Sequence, residues 1–307
     1  MANTIYTHSG LWHADEIFGC AIAHLAGFGP QIQRVRELPE SFSPEEGDVA
    51  VDIGSRFDPT RNKYDHHYPG GNDDGLSSAG KIWSQYGAQI CGGDHRAAAR
   101  VSEVLIASVD RTDCGIHDWK PIRDDWRHLS ASAFFSAMNQ PFGTPPDEVQ
   151  AAFEVAVQAA ALALKAAAAQ AQLFFTMYDV VRTAQFEPGQ QYLVLSRPGP
   201  WQEHLFADPK FESVLYVLFP SDRGGFQCQC VPDKLGSFGK KKSLPRSWKG
   251  LRGQELADVL ASEGLGEFSP TSPLFCHDGL FVAGAETLEE TLRLAQAAIA
   301  AEEVTNA

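Results

Sequence analysis

Residues 64–67, Tyr64-Asp65-His66-His67, follow the extended run Arg61-Asn62-Lys63 and precede the turn residues Pro69, Gly70 and Gly71. Two adjacent imidazoles behind a carboxylate, at the end of a strand, are poor material for a protein core. A neutral imidazole nitrogen can ligate a divalent metal ion while a carboxylate fixes the orientation of the ring. Taken by itself, Asp65-His66-His67 would equally fit a structural role. The prediction of a metal site therefore depends on the other acidic and histidine positions.

Composition limits the class of protein. The 307 residues, 44% hydrophobic and 21% charged, suffice for one large or two medium domains with a real core. No stretch approaches the ~20 apolar residues of a membrane span, and the N-terminus lacks the layout of a signal peptide. Six scattered cysteines favour reduced thiols in a cytoplasm. A net charge of −14 argues against a broad grip on duplex DNA, although bound cations would still admit small phosphates or short single strands.

The first predicted strand and helix bring candidate ligands to one loop. Asn3–Thr7 predicts a short strand that ends at His8, and a helix that begins near His13 carries Asp15 in its first turn. Proteins of the α/β class commonly place ligands on such strand-to-helix loops. The alternative interpretation is that Asp15 and Glu16 only cap the helix.

Two further segments extend this pattern. Residues 47–54 predict an apolar strand with Asp52 near its exit, where an unpaired buried carboxylate would be costly. We therefore expect Asp52 either at the end of the strand or bound to a cationic group. After Asp65-His66-His67 (the DHH stretch), Ser77 or Ser78 is predicted to cap a helix. The N-terminus of this helix either points at an anion or is an ordinary capped helix end.

A long helical run divides the chain. Apolar residues recur at three- and four-residue spacing from about 147 to 182 without proline or glycine, and such a helix would reach ~50 Å. We interpret it as a strut that ends a domain of residues 1–185 and joins it to a smaller C-terminal α/β domain of residues 186–307. Strands are predicted in that second domain at 191–196, 214–219 and 226–231.

The second domain offers two candidate anion contacts. Residues 240–252 hold the only basic cluster, which is either a solvated loop or a contact to phosphates. Residues 275–285 lead into a last helix, and such a strand–glycine–helix junction favours anions.

The candidate metal ligands all come from loops or strand ends in the first third of the chain: His8, His13, Asp15, Asp52, Asp65, His66, His67, Asp110 and Asp113. A turn at a helix end would also explain the last two. Imidazoles and carboxylates without thiolates favour Mn²⁺, Mg²⁺, Fe²⁺ or Co²⁺ over structural zinc. Several carboxylates can hold two dications ~4 Å apart around a bridging water, which suits in-line attack on phosphorus. The sequence contains no G-x-S-x-G motif, P-loop or G-x-G-x-x-G motif.

At this point the chain resembles the Myg-type exonucleases, a branch of the DHH phosphoesterase superfamily. The likeness runs in order through nearly the whole chain. It is carried by the segments Thr7-His8-Ser9-Gly10, His13-Ala14-Asp15-Glu16, Val51-Asp52-Ile53-Gly54, Tyr64-Asp65-His66-His67, Leu76-Ser77-Ser78-Ala79-Gly80, Val109-Asp110-Arg111-Thr112-Asp113, Pro200-Trp201-Gln202-Glu203-His204-Leu205 and Trp248-Lys249-Gly250-Leu251-Arg252. The resemblance implies a parallel-sheet DHH-type domain with two metal ions, Mn²⁺ foremost, and a smaller α/β domain that closes over substrate.

The resemblance also implies roles for individual residues. One metal ion would be served by Asp15, Asp52, His66 and Asp110, and the other by His8, His13 and Asp52, which bridges the two. Asp65 would orient an imidazole, His67 would touch the substrate phosphate, and Asp113 belongs to the catalytic set. Substrate contacts are expected at Ser77, Ser78, His204, Lys241, Arg252, His277 and Gly284.

The chain departs from related patterns in three segments. The family runs glycine-glycine-histidine where this chain has Gly284-Ala285-Glu286, and a carboxylate there would repel a phosphate. Asparagine tends to follow the position of Asp113, where this chain has Cys114. The superfamily usually has aspartate where this chain has His13, although histidine matches the Myg branch.

We therefore predict a metal-dependent exonuclease that trims RNA or short single-stranded oligonucleotides. Two alternatives stay open: a phosphohydrolase for pyrophosphate, cyclic dinucleotides or nucleotides, and a binding protein that holds metal without turnover. Neither a membrane partner nor a particular oligomeric state is implied, and a homodimer is compatible with the sequence.

Overall fold

The N-terminal sheet consists of short strands rich in β-branched and aromatic residues, which favour extended backbone. The computed structural model describes residues 3–116, 129–271 and 273–301. Its first five strands are β1 (Thr4–His8), β2 (Gln31–Val35), β3 (Val49–Val51), β4 (Phe57–Asp58) and β5 (Lys63–Tyr64). They form a sheet in the order β2-β1-β3-β5-β4, in which β2, β1, β3 and β5 are parallel and the edge strand β4 is antiparallel. The carboxyl ends of the parallel strands consequently share one edge.

Helices cover one face of this sheet and a smaller apolar cluster covers the other. The helices are α1 (Ala14–Leu25), α2 (Ser78–Ile90), α3 (His95–Val101), α4 (Ala107–Asp113) and α5 (Ala131–Ser136). The large core includes Ile5, Val51 and Phe18, whereas Tyr6, Ala50 and Ile53 form the cluster on the opposite face. This two-faced burial explains the uninterrupted apolar run of the central strand β3, whose three residues are all buried.

A π-helical turn, Ser102–Ile106, joins α3 to α4. One extra residue per turn rotates everything that follows relative to an α-helix, and such turns occur frequently at functional sites. Val101 before the turn, Ile106 at its end, and Val109 and Asp110 after it are buried. The turn therefore decides which side chains at the end of α4 face inward.

The long helix predicted at 147–182 is α6, Pro146–Thr183. Its buried side chains include Phe153, Val157 and Leu164, in the same core as α1 and β1. By length and composition alone, α6 is long and apolar enough to cross a membrane, because it is rich in alanine. The expectation that no stretch approaches a membrane span was therefore wrong. That result is weak evidence of spanning, since core helices pass the same test.

The second sheet is mixed. Its strands are β6 (Tyr192–Val194), β7 (Tyr216–Pro220), β8 (Phe226–Cys230), β9 (Phe275–Cys276) and β10 (Val282–Ala285), in the order β6-β7-β8-β10-β9. Only the β6–β7 pair is parallel. The helices of this part are α7 (Gln202–Ala207), α8 (Gly253–Ser262) and α9 (Leu288–Ala300). Short 3₁₀ helices lie at Pro44–Glu46, Pro59–Arg61, Pro209–Phe211 and Arg246–Trp248.

Two compact units, residues 1–172 and 173–307, each contain one of these sheets. The α/β class predicted from the sequence is thereby confirmed. The division falls inside α6, because Met177 and Val181 pack with Leu193 and Trp201 in a core of the second unit. The boundary at 185 stays a prediction. All six cysteines are free thiols.

Candidate metal centre

Three parallel strands deliver acidic and imidazole side chains to one edge of the N-terminal sheet. His8 is the last residue of β1, Asp52 follows β3, and Asp65 follows β5. Asp52 has a φ of 56°, in the left-handed region that non-glycine residues rarely occupy. Such backbone costs about 1–3 kcal/mol and clusters at functional sites. The turn leaves the Asp52 side chain only 1% exposed.

His66 lies at the centre of one group of these residues. Its Nε2 atom is 3.0 Å from Asp113 Oδ2, 3.5 Å from Asp52 Oδ1 and 3.6 Å from Asp15 Oδ2. The imidazole is 3% exposed and Asp15 is 1% exposed. One nitrogen and three carboxylate oxygens thus face a common, largely dry space.

His8 lies at the centre of the other group. Its Nε2 atom is 2.8 Å from Glu16 Oε1 and 3.2 Å from Asp52 Oδ2. Glu16 Oε2 accepts a hydrogen bond of 2.7 Å from the backbone N–H of His13. Glu16 therefore caps α1 with one oxygen and presents the other to His8. Sequence reasoning treated Glu16 only as a cap and missed this second contact.

The charges in this site are mutually dependent. Burial would lower the pKa of His66, but its interactions with Asp113 and Asp52 outweigh burial and raise that pKa to about 11. His8 behaves in the same way: burial would lower its pKa, but its contacts to Asp52 and Glu16 raise that pKa to about 10. For His67, the contacts to Asp52 and Asp65 raise the pKa to about 9. Burial would raise the pKa of Asp52, yet the three imidazoles hold it well below its usual range. Protonated imidazoles thus supply the positive charge that these carboxylates need.

Asp15 is the least satisfied group in the site. Within residues 3–116, 129–271 and 273–301, neither of its carboxylate oxygens has a hydrogen-bond partner. Burial, and then the carboxylates of Asp52, Asp113 and Glu16, raise its pKa well above the ordinary value. A buried carboxylate without a partner costs several kcal/mol. A cation between Asp15 and its neighbours would remove that cost.

Among the residues that the structure describes, four overlapping groups of side chains have ligand atoms within 4.8 Å of one another and could hold a metal ion. They are His8, His13 and Glu16; Asp52, His66 and His67; His13, Asp15 and Asp113; and Asp15, Glu16 and Asp52. Of the six residues that the resemblance assigns to the metal ions, five occur in these groups and Asp110 does not. Asp113, which was predicted to be catalytic, lies beside His66, where Asp110 was expected.

Asp110 instead faces the N-terminus of α2. Its Oδ1 accepts hydrogen bonds from the Ser77 backbone N–H (3.1 Å), the Ser77 hydroxyl (2.7 Å) and the Gly80 N–H (3.0 Å). Next to Ser77, the hydroxyl of Ser78 donates to Asp52 Oδ1 at 2.9 Å. The anion at this helix end is therefore a carboxylate of the chain itself. The substrate contacts expected at Ser77 and Ser78 stay predictions.

Asp65 and His67 form a hydrogen-bonded pair at the rim. Asp65 Oδ1 accepts from the His67 backbone N–H at 2.9 Å and lies 3.0 Å from its Nδ1. The His67 side chain is 63% exposed. It lines a cavity of about 580 Å³ together with His8, His13, Asp52 and the cationic Arg36. Asp65 thus orients an exposed imidazole beside an open cavity, while the catalytic roles of both remain predictions.

In the second unit, two predicted substrate residues have structural contacts. The Lys241 ammonium donates to the backbone carbonyls of Glu212 (2.8 Å) and Val214 (3.3 Å), and Lys242 likewise donates to the carbonyl of Ile299 (2.7 Å). His204 Nε2 lies 2.8 Å from the Phe174 carbonyl oxygen. Lys241 and Lys242 of the basic cluster therefore hold backbone segments together through hydrogen bonds.

Two other predicted residues, Arg252 and His277, line a cavity of about 510 Å³ with Arg223, Phe226 and Phe275. Arginine guanidinium groups and aromatic rings around one opening suit a phosphate attached to a base.

Gly284 lies inside β10 rather than at a phosphate-binding turn. A Cβ there would come within 2.6 Å of the Phe275 ring, so glycine is required for packing. The N-terminus of α9 is capped by Thr287 and Glu290. Phosphate binding at Gly284 stays a prediction.

Comparison with known proteins adds an independent finding. The sequence profile MYG1_exonuc, described as "Uncharacterised protein family (UPF0160)", matches residues 4–299. The MYG1 exonuclease of Bos taurus is 27% identical over 96% of this chain and 84% of its own length. The MYG1 exonuclease of Homo sapiens is 27% identical over 96% and 85%, and the MYG1 protein of Dictyostelium discoideum is 28% identical over 95% of both chains.

Proposed function

Since the chain belongs to the MYG1 exonuclease family, we propose that it is a metal-dependent phosphodiesterase that acts as an exonuclease on RNA or short oligonucleotides. The observation that carries this proposal is the buried Asp15, whose two oxygens lack partners among the described residues while His66 and Asp113 face the same space. The names of the relatives support hydrolysis of nucleic acid.

The residues present suit two divalent ions. We infer that Asp15, Asp52, His66 and Asp113 hold one ion and that His8, His13, Glu16 and Asp52 hold the other, on the basis of their mutual proximity. Oxygen and imidazole ligands favour Mn²⁺, with Mg²⁺, Fe²⁺ or Co²⁺ as alternatives. When bound, such ions would polarise a phosphoryl oxygen and lower the pKa of an attacking water.

The protein's own side chains have separate tasks. Asp52 lies within reach of both His8 and His66, so its carboxylate would help to hold either ion. His67, oriented by Asp65, would donate a hydrogen bond from its exposed ring to a non-bridging phosphate oxygen. We propose that Arg252 and His277 in the second unit bind nucleic acid within their own cavity.

The proposed architecture is of the DHH type. Its support is the set of parallel strands β2, β1, β3 and β5, with acidic and histidine residues at their carboxyl ends. Ligand sites of open α/β sheets lie at this edge.

A second candidate is a phosphohydrolase for small substrates such as pyrophosphate or dinucleotides. The contacts of Lys241 and Lys242 favour it, because ammonium groups bound to backbone carbonyls are not free to follow a long phosphate backbone. The net charge of −14 points the same way.

The test is cleavage by the full chain of end-labelled RNAs of two, five and twenty nucleotides, of matched DNA and of pyrophosphate, with Mn²⁺ and with EDTA. Asp52→Ala is the inactive variant, and Asp73→Asn, an exposed acid outside the site, is the matched control. We expect Mn²⁺-dependent RNA cleavage that Asp52→Ala abolishes. Turnover of pyrophosphate alone would select the second candidate, and metal binding without any turnover would indicate a binding protein. Cleavage in EDTA would refute both enzymatic proposals.

A further inference from the structure

A short loop between the DHH stretch and α2, residues 68–76, folds against His66. Backbone hydrogen bonds close it as successive turns, from Tyr68 N–H to the His66 carbonyl (2.9 Å) and from Gly71 N–H to the Tyr68 carbonyl (2.8 Å). A Cβ on Gly71 would lie 2.8 Å from the His66 carbonyl carbon, so the loop approaches as closely as glycine permits. The loop is therefore built onto the backbone of this histidine.

The loop places one polar group against the ring. Asn72 Oδ1 lies 2.6 Å from His66 Nδ1 and 3.8 Å from the Cys114 thiol. An amide oxygen can only accept hydrogen bonds, so Nδ1 carries the proton. In a neutral imidazole the lone pair then resides on Nε2, the atom that faces Asp15, Asp52 and Asp113.

An ion pair between a buried lysine and a half-exposed aspartate holds the loop in place. The side chain of Lys81, in the first turn of α2, is 1% exposed, and its ammonium lies 2.8 Å and 3.1 Å from the two oxygens of Asp74. Asp74 is two residues from Asn72 and is itself half exposed. Because removal of one partner leaves a buried charge uncompensated, such a pair fixes its two segments relative to each other.

We propose that the loop of residues 68–76 is a positioning element for metal binding: Asn72 fixes the tautomer and direction of His66, and the Lys81–Asp74 ion pair holds Asn72 there. This inference rests on the proposed function only in taking His66 as a metal ligand. Groups that orient a ligating histidine typically change metal affinity 10–100-fold when they are removed.

Three substitutions separate positioning from a general structural role. Asn72→Leu keeps the approximate volume and removes the acceptor, whereas Asn72→Asp retains an acceptor at the same place. Lys81→Met removes the ammonium but keeps an apolar stem in the buried space. Asp73→Asn is the control within the same loop, because its side chain is exposed.

The measurement is the Kd for Mn²⁺, by calorimetry on the full chain after EDTA treatment, with folding checked by circular dichroism. We expect Asn72→Leu and Lys81→Met to weaken Mn²⁺ binding about 10–100-fold, and Asn72→Asp and Asp73→Asn to stay within about threefold of the wild type. With Zn²⁺ as a diamagnetic probe, ¹⁵N spectra of labelled histidine should show His66 protonated at Nδ1, and Asn72→Leu should lose that signal.

Wild-type affinity in Asn72→Leu, or equal losses in Asn72→Leu and Asn72→Asp, would overturn the positioning role. These outcomes are distinct from failure of the proposed function. A wild-type protein that binds Mn²⁺ but cleaves no phosphoester refutes the enzyme while leaving the positioning role intact. A wild type that binds no divalent ion refutes both.

Discussion

Replacement of Asp15 by asparagine should stabilise the metal-free protein and abolish its stabilisation by metal. The side chain is 1% exposed, and no described residue donates a hydrogen bond to its oxygens. Its raised pKa means that the native state favours the protonated form, so the free-energy contribution is present below pH 3.8 and is lost as pH rises. At pH 7 the unfolded-state carboxylate is ionised, so folding must either bury that charge or bind a proton, and both cost free energy. An amide of the same shape requires neither.

The magnitude is the difference between two unpaired buried groups, an amide that costs about 1–3 kcal/mol and a carboxylate that costs several kcal/mol, which leaves roughly 1–3 kcal/mol. We expect the free energy of unfolding in EDTA to rise by about that amount in Asp15→Asn, with a Tm increase of about 2–4 °C per kcal/mol. Mn²⁺ at 100 times Kd should add about 2.7 kcal/mol to the wild type. If the substitution raises Kd 100-fold, the same Mn²⁺ concentration adds only about 0.4 kcal/mol.

The assay is thermal and urea unfolding of both proteins in EDTA and in Mn²⁺, with Asp73→Asn as a charge-matched control on the surface. The control should respond to Mn²⁺ like the wild type. A less stable Asp15→Asn in EDTA, or equal gains from Mn²⁺ in both proteins, would show that Asp15 has a partner or does not bind metal, and the reasoning would fail.

Three further results are expected. Contacts with carboxylates raise the pKa values of His8, His66 and His67 to about 9 to 11, so the contribution of these three imidazoles to the stability of the metal-free protein is full below about pH 6.5 and is lost as pH rises towards 11. Urea titrations in EDTA should show this decline, and Mn²⁺ should offset it. Gly80→Ala would place a Cβ 2.7 Å from Asp110 Cγ and should lower the urea unfolding free energy by about 1–3 kcal/mol, whereas helix propensity alone would raise it. Lys241→Met should cost about 1–3 kcal/mol of stability without changing KM for RNA, and a raised KM at unchanged stability would instead identify a phosphate contact.

Much of the fold follows from local pattern. The alanine-rich α6 is periodic over enough residues for the sequence to define it, and the short β3 before Asp52 is recognisable by its β-branched, apolar composition. The convergence of His8, Asp52 and Asp65 at one sheet edge was equally predictable, because the strands that carry them are parallel.

The details of the ligand set were not predictable in the same way. Whether Asp110 or Asp113 faces His66 depends on the angular position of α4, which the π-helical turn at 102–106 determines. No composition rule identifies such a turn. Glu16 was missed for a related reason, because a first-turn glutamate is usually a cap and only the tertiary structure shows that its second oxygen reaches His8.

The first turn of α2 connects groups that are far apart in sequence. Ser78 donates to Asp52, Ser77 donates to Asp110, and Lys81 pairs with Asp74 of the loop that contacts His66. Residues in one network are coupled by about 0.5–3 kcal/mol and do not act additively. Substitutions of these contacts should therefore be non-additive in their effect on metal affinity, since each releases the same helix end. Independent, additive effects would mean that each ligand is held by its own strand and that α2 is only a neighbour.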